Sequence, residues 1–189
     1  MKLLLHTCCA PCLIYPLERL RTEGFDVTGY FYNPNIHHFK EYNNRKDEVL
    51  KYSTKAGVVI VYPDYDPKEY FRAINLMEDR LGRCPICWYQ RLEAAAQLAK
   101  KSGFTHFSTT LLVSPYQDQD SLRKIGSDIA LLQGVEFYYE DFRLGFKGAH
   151  ESARREGIYC QNYCGCIYSE IERVKDKKKR PVASKLPSQ

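Results

Sequence analysis

Five short apolar runs along the chain predict the strands of a β-sheet. They are rich in β-branched and aromatic residues and cover residues 2–8, 25–32, 58–62, 104–109 and 135–139. The run at 58–62 is continuously apolar, a pattern typical of a parallel strand that is covered on both faces. Turn-forming residues such as Asn33, Pro34 and Asn35 close the second run.

Segments with apolar residues at helical spacing separate these runs. The predicted helices extend from Pro11 to Gly24, from Phe39 to Gly57, from Pro67 past Ile74, from Pro85 to Lys101, from Ser121 to Gln133, and from near Cys166 into a Lys-rich end. Pro16 lies inside the first helix and is expected to weaken or kink it.

Two of these helices have a recognisable buried face. In the helix that opens at Pro67, the residues expected to point inward are Tyr70, Phe71 and Ile74. In the helix that begins at Pro85, after a break at Leu81 and Gly82, one stripe contains Leu92, Ala95, Ala96 and Ala99.

The regular alternation of strands and helices predicts the fold class. The chain shows no hairpin signal and no internal repeat, so we expect an α/β fold with a mainly parallel sheet and helices on both faces. In such sheets ligands bind beyond the carboxyl ends of the strands. Three unusual segments follow predicted strands and are expected at this edge: CCAPC at 8–12, NPNIHH at 33–38 and TLLVSPYQDQD at 110–120.

Length and composition narrow the class of protein further. The 189 residues suit one domain, and 44% hydrophobic residues exclude a disordered chain. No apolar run reaches the roughly 20 residues that span a membrane, and the start lacks a secretory signal, so we expect a cytoplasmic protein without a membrane partner.

The positive charge is concentrated at the end of the chain. Of the 28 Lys and Arg residues, seven lie from Arg173 onward, against a single acidic residue, Asp176. We therefore divide the chain into a single α/β domain at 1–172 and a basic tail at 173–189. Such a tail is either a solvated end or an arm that contacts nucleic-acid phosphates.

Eight cysteines point to metal chemistry rather than to disulfides. They form the groups Cys8-Cys9-Ala-Pro-Cys12, Cys84-Pro-Ile-Cys87, Cys160 and Cys164-Gly-Cys166. A thioredoxin-like dithiol is disfavoured because Cys84 does not follow a strand. We expect helix N-terminal amides to stabilise thiolates at Cys84 and Cys87, and likewise at Cys9 and Cys12. Four thiolates complete one structural zinc site, so the surplus favours polynuclear iron.

The remaining soft side chains are weaker candidates for metal ligands. Cys160 stands alone and is left out of the ligand set. His6 lies inside a predicted strand, where a histidine satisfied within the core is expected. None of the other histidines has a fixed metal-binding spacing to the cysteines.

The cysteine motifs and their neighbours, taken together, resemble the QueH-type epoxyqueuosine reductases. The motifs occur in the order CCAPC, CPICWYQR, SPYQDQD, DFR and YCGCIYS, and the resemblance extends from Leu5 to Ser169. Their specificity comes from this co-occurrence. One departure is Cys160, which stands where a non-cysteine residue, often Arg, is expected before Gln161.

The resemblance implies a reaction and a set of cofactors. Members reduce the epoxide of epoxyqueuosine in the tRNA anticodon to the alkene of queuosine, without cobalamin, and are similar to nucleotide-hydrolase-like, Rossmann-like folds. A 4Fe-4S cluster and an additional mononuclear iron are expected, with electrons from an external donor. The implied metal ligands are Cys8, Cys9, Cys12, Cys84, Cys87, Cys164, Cys166 and one carboxylate, either Asp118 or Asp120, with Asp118 preferred.

The same resemblance suggests catalytic and RNA-binding residues. The proton donor is expected among Tyr116, Asp118 and Asp120, because two protons must accompany two electrons. An unstacked wobble base needs an aromatic platform and cations for the flanking phosphates. Candidates for this role are Tyr32, His37, Arg143, Lys177, Lys178 and Lys179.

Two alternatives belong to other classes of protein. An ATP-using tRNA sulfurtransferase needs a Gly- and Ser-rich phosphate loop after the first strand, and the segment Thr7–Cys12 contains a proline and no glycine. A zinc-stabilised RNA-binding module would use its thiolates only for structure and would be colourless.

Overall fold

The protein is a five-stranded parallel sheet with helices between the strands. The computed structural model describes residues 1–179 and the side chains up to Asp176. The strands are β1 (Lys2–His6), β2 (Asp26–Tyr30), β3 (Ile60–Val61), β4 (His106–Thr109) and β5 (Glu136–Phe137). The helices are α1 (Ala10–Thr22), α2 (Phe39–Ala56), α3 (Pro67–Ala73), α4 (Arg80–Lys101), α5 (Gln119–Gln133), α6 (Phe146–Arg155) and α7 (Ile167–Lys179).

Strand order in the sheet is β3-β2-β1-β4-β5, and every neighbouring pair is parallel. In the central strand, Leu3 lies opposite Val27 on one side and His106 on the other. Leu3, Leu4 and Leu5 are fully buried because layers of helix cover the middle of the sheet. The predicted α/β class with a parallel sheet is confirmed.

The apolar run at 58–62 forms a parallel strand, as predicted, but this strand is not covered on both faces, so that part of the prediction is wrong. Only Ile60 and Val61 pair, at the edge of the sheet, and Val59 is 70% exposed. Strand order is decided by crossovers that a local apolar pattern does not encode.

Two helix predictions also need correction. Helix α4 begins at Arg80 rather than Pro85, because the Asp79 carboxylate caps it by accepting from the amides of Leu81 and Gly82. Helix α1 continues through Pro16 without interruption.

The buried faces of two helices largely match expectation. On α3, Tyr70 is buried and so is Ile74 just beyond its end, but Phe71 is 42% exposed and does not point inward as predicted. The α4 stripe of Leu92, Ala95, Ala96 and Ala99 is fully buried, where α4 packs on β1, β4 and α5.

The predicted tail begins inside a helix. Helix α7 starts at Ile167 and runs to Lys179, so residues 173–179 are helical, and residues 180–189 lie outside the described part of the chain. The domain division at 172 stays a prediction. None of the helices described between residues 1 and 179 has the length and apolar character needed to cross a membrane.

Candidate functional site

His6, the last residue of β1, is hydrogen-bonded to residues at the carboxyl ends of the two neighbouring strands, β4 and β2. Its Nδ1 lies 2.9 Å from Thr109 Oγ1, and its Nε2 lies 3.1 Å from the carbonyl oxygen of Tyr32. Asn33 Nδ2 donates to the carbonyl of Thr7 at 2.9 Å. Burial lowers the pKa of His6 to about 4, so the ring is neutral. The expectation of a core histidine satisfied by its neighbours is confirmed.

Three buried thiols lie together just beyond β1. The Sγ atoms of Cys8, Cys9 and Cys12 are all within 4.8 Å of one another, and within residues 1–179 no other group of three Cys, His, Asp or Glu side chains is so close. We call this set the compact thiol group. Cys9 is the N-cap of α1 and Cys12 lies in its first turn, so helix geometry brings the thiols together.

Hydrogen bonds make the first of these thiols the most acidic. The pKa of Cys8 is held well below its usual range because the thiols of Cys12 and Cys9 donate to it, and the Thr110 hydroxyl donates at 3.3 Å. Burial raises the pKa of Cys9, and donation to Cys8 raises that of Cys12. The compact thiol group therefore holds one readily formed thiolate beside two thiols.

Gln161 contacts the compact thiol group from the other end of the chain. Its Nε2 lies 2.8 Å from Cys9 Sγ and 3.9 Å from Cys12 Sγ. Its Oε1 is buried without a partner among the residues described. Sequence reasoning did not assign Gln161, since a glutamine carries no metal-ligand signature of its own.

Four more cysteines form a second, more widely spaced set. Cys84 and Cys87 lie on α4, and Cys164 and Cys166 lie on the segment before α7. Cys87 and Cys166 are buried in one cluster with Tyr70. The four are near enough that negative charge on Cys164 or Cys166 disfavours ionisation of Cys84 and Cys87. We call them the wide thiol group.

At two of these thiols, burial has a larger effect on the pKa than the helix N-terminus has. Burial raises the pKa of Cys84 to about 11 and that of Cys87 to about 12. The predicted thiolate stabilisation at these two positions is therefore wrong for the protein alone, as it is at Cys9 and Cys12. Because α4 starts at Arg80, Cys84 lies beyond the first turn, to which the helix field is largely confined.

Hydrogen bonds favour the thiolate of Cys166. Burial raises its pKa, but the hydrogen bond from Ser169, the nearby Tyr70 hydroxyl and the charge of Arg83 outweigh that effect, and the net shift is downward. The amide nitrogen of Ser169 lies 3.4 Å from Cys166 Sγ. In the wide thiol group, Cys166 is thus the side chain most prepared to bind a cation.

The segment after β4 reaches the wide thiol group through Gln117. The Gln117 amide accepts from Trp88 Nε1 at 2.8 Å and places its own Nε2 3.7 Å from Cys164 Sγ. Cys164 is the exposed member of the seven motif cysteines. Cys164 and Gln117 therefore mark the side of the site that is nearest to solvent.

The three predicted catalytic residues flank that contact. Tyr116 is 73% exposed. The Asp118 carboxylate caps α5 by accepting from the Ser121 amide at 2.7 Å, and Asp120 is exposed in the first turn of the same helix. Their roles as metal ligand and proton donors stay predictions.

Two predicted RNA-binding residues are packed into the protein. Tyr32 is half-buried, and its hydroxyl donates to the carboxylate of Glu69. His37 is buried, with its ring stacked on Phe71 at a centroid distance of 4.5 Å. Both residues are less exposed than Tyr116.

The predicted cationic contacts lie elsewhere. Arg143 is exposed and forms an ion pair with Asp141, two residues away. Lys177, Lys178 and Lys179 belong to α7, but their side chains lie outside the described part of the structure. The RNA-binding role of all these residues stays a prediction.

A buried ion pair fixes the backbone that carries Cys164. Arg45 Nε lies 2.8 Å from Glu41 Oε1, and the two side chains are 1% and 7% exposed. The same guanidinium donates to the carbonyls of Tyr163 and Cys164 at 3.1 and 3.0 Å. Sequence analysis missed this pair, although Glu and Arg at i and i+4 on a helix are a visible signal.

A solved structure supports the fold. Over 94% of this chain and 88% of its own, a structure described as "predicted subunit of tRNA methyltransferase" from Methanocaldococcus jannaschii superposes with a TM-score of 0.56 at 10% identity. At this identity the likeness concerns the fold alone.

Sequence comparisons identify the family. The family model described as "Epoxyqueuosine reductase QueH" matches residues 3–172. Proteins named epoxyqueuosine reductase QueH are 39% identical in Dehalococcoides mccartyi, over 91% of this chain and 94% of that one, and 38% identical in Thermotoga maritima, over 90% and 91%. A third, from Histophilus somni, is 40% identical over 89% of this chain and 72% of its own. With its cysteines gathered at the edge of a parallel sheet, this chain belongs to the epoxyqueuosine reductase QueH family.

Proposed function

We propose that the protein reduces the epoxide of epoxyqueuosine in tRNA to the alkene of queuosine, using iron held by its seven motif cysteines. One observation supports this most strongly: thiols from three distant segments converge at the carboxyl edge of the sheet. A reduced cytoplasm suits them, since all eight cysteines are free.

The reaction determines what the site must supply. Two C–O bonds of the epoxide break, a C=C bond forms, and the oxygen leaves as water. Two electrons and two protons are consumed. The electrons come from an external one-electron donor, and cobalamin is not required. The protons come from acidic side chains or water at the exposed side of the site.

The donor set fits two different iron sites. Around one ion with metal–sulfur distances of about 2.3 Å, ligand sulfur atoms lie at most about 4.6 Å apart. The compact thiol group is close to this spacing. The wide thiol group offers four more separated cysteines, the ligand number of a 4Fe-4S cluster. We therefore assign the additional iron to the compact thiol group and the cluster to the wide one.

Neighbouring residues hydrogen-bond to thiols of both the compact and the wide thiol group. When bound, the cluster would supply electrons singly, and the additional iron would act as a Lewis acid toward the epoxide oxygen. Gln161 and Thr110 donate hydrogen bonds to the compact thiols, and Gln117 to Cys164. Burial of most of the seven thiols limits water, while the exposure of Cys164 leaves a path for the substrate.

The direct test is conversion of epoxyqueuosine-containing tRNA under anaerobic conditions with a chemical reductant. We expect mass spectrometry of the digested tRNA to show loss of one oxygen atom from the modified nucleoside. Iron-loaded protein that leaves this nucleoside unchanged would contradict the proposal.

Asp118 could act as a metal ligand or only as a helix cap, and replacing it by asparagine distinguishes these two roles. Asparagine keeps the helix-capping oxygen but provides no anionic ligand. If the carboxylate is an iron ligand, as we propose, Asp118→Asn loses iron while its melting temperature is unchanged. Asp118→Ala should also be less stable, because it loses the cap. Full iron content in Asp118→Asn would leave the residue a helix cap only.

The basic tail is expected to strengthen tRNA binding. Deleting residues 177–189 removes five positive side chains and no acidic one. Since neutralised phosphates release counterions, we expect weaker binding and a shallower dependence of affinity on salt. Binding measured by filter retention at several salt concentrations tests this, with turnover of a short anticodon stem-loop as a control that the site is intact. An unchanged salt slope would make the tail a solvated end.

A further inference from the structure

Three arginines are almost completely buried, and one of them differs from the others. Arg45 is paired with Glu41 at 2.8 Å and Arg83 with Glu172 at 2.6 Å. Arg91 is 1% exposed, yet among the side chains that the structure describes no carboxylate lies within 4.0 Å of its guanidinium. The anomaly is a buried cation without an anion.

The hydrogen bonds of Arg91 do not offset the free-energy cost of burying its charge. Its Nε donates to the carbonyl of Cys87 at 3.1 Å, whereas one terminal nitrogen is buried without an acceptor among residues 1–176. Burying an unpaired charge is strongly unfavourable, and arginine cannot avoid this cost by losing its proton. The fold therefore leaves a buried positive charge at Arg91, and the negative charge that would balance it is not supplied by the described carboxylates.

The thiols are the negative groups within reach of Arg91. Arg91 lies one turn after Cys87 on α4, and it is close enough to the Cys164 thiol for its charge to act on that group. Arg91 also interacts with Cys8 of the compact thiol group. The guanidinium thus lies near members of both sets of cysteines, where iron bound by thiolates would carry net negative charge.

We propose that Arg91 is a positioning residue that serves as the buried counter-charge of the iron–thiolate centre and eases its reduction. The inference rests on the proposed function. Adding an electron to a cluster held by four thiolates increases its negative charge, so a fixed cation nearby stabilises the reduced form. The midpoint potential of the centre is then less negative than it would be without Arg91.

The test is an anaerobic redox titration of iron-loaded protein, followed by EPR, in wild type, Arg91→Gln and Arg91→Lys. We expect a clear shift to more negative midpoint potential in Arg91→Gln and a smaller one in Arg91→Lys, which keeps the charge. Arg19→Gln is the control, because Arg19 is a partly exposed arginine on α1 whose partners are Glu23 and Glu140. Its midpoint should match wild type.

The iron content of each purified variant tests the inference even if a variant fails to bind iron. Failure of Arg91→Gln to hold iron, with loading retained in Arg91→Lys, would also show that the charge is required. An unmoved midpoint in a loaded Arg91→Gln, or equal damage in both variants, would overturn the role of Arg91. The titration contains no tRNA, so absent turnover affects only the proposed reaction. Wild-type protein without iron would contradict the proposed function, and this inference with it.

Discussion

Replacing Cys164 by serine is expected to remove the iron–sulfur cluster and to lower turnover by at least about 10³-fold. A cluster of the 4Fe-4S type takes four thiolates, and Cys164 is the member of the wide thiol group on the exposed side. Removing an essential group of a reaction centre costs factors of this size. The measurements are the visible absorbance, the iron content and the anaerobic rate of each purified variant.

Two further serine variants make the result specific. Cys160→Ser is the matched control, since Cys160 is half-buried and its thiol donates only to the carbonyl of Ile158 among the described contacts. It should keep wild-type iron and rate. Cys12→Ser should lose about one iron per chain and keep the cluster absorbance. Loss of cluster absorbance in Cys12→Ser, with retention in Cys164→Ser, would reverse our assignment of the two thiol groups.

The second large effect is on stability. Changing Glu41 to glutamine leaves Arg45 buried without its anion, and breaking a buried pair in this way costs roughly 3–5 kcal/mol. For a chain of this length the melting temperature should fall by roughly 10 °C. Because Arg45 also holds the carbonyls of Tyr163 and Cys164, iron content should fall as well.

An exposed pair of the same spacing is the control for this change. Lys124 and Asp128 lie 2.7 Å apart on α5 with side chains 76% and 54% exposed. Asp128→Asn should cost no more than about 0.5 kcal/mol, because water screens such a pair. Thermal unfolding of both variants decides the matter, and equal melting temperatures would contradict the importance of the buried pair.

Local patterns were sufficient to predict the fold class. The five apolar runs and the helices between them are visible in the sequence because burial and backbone periodicity act over a few residues. The edge position of Ile60 and Val61 was not visible, since it depends on which strands become neighbours. The cap at Asp79, which extends α4 to Arg80, was not recognised, because Pro85 matches the usual first position of a helix.

The candidate site was only partly predictable, for a similar reason. The cysteine motifs identified the seven thiols, but their division into a compact and a wide group depends on distances between distant segments. Gln161, Gln117 and Arg91 look like ordinary polar residues in the sequence. Only the fold shows that Gln161 and Gln117 are directed at thiols and that Arg91 is buried without a carboxylate partner among the described side chains.

Metal analysis of protein purified without oxygen, together with visible and EPR spectra, tests the central claim most directly. The account predicts a brown protein with more than four irons per chain and the signal of a reducible cluster. A colourless protein with one zinc per chain would contradict it and would favour a zinc-stabilised RNA-binding module.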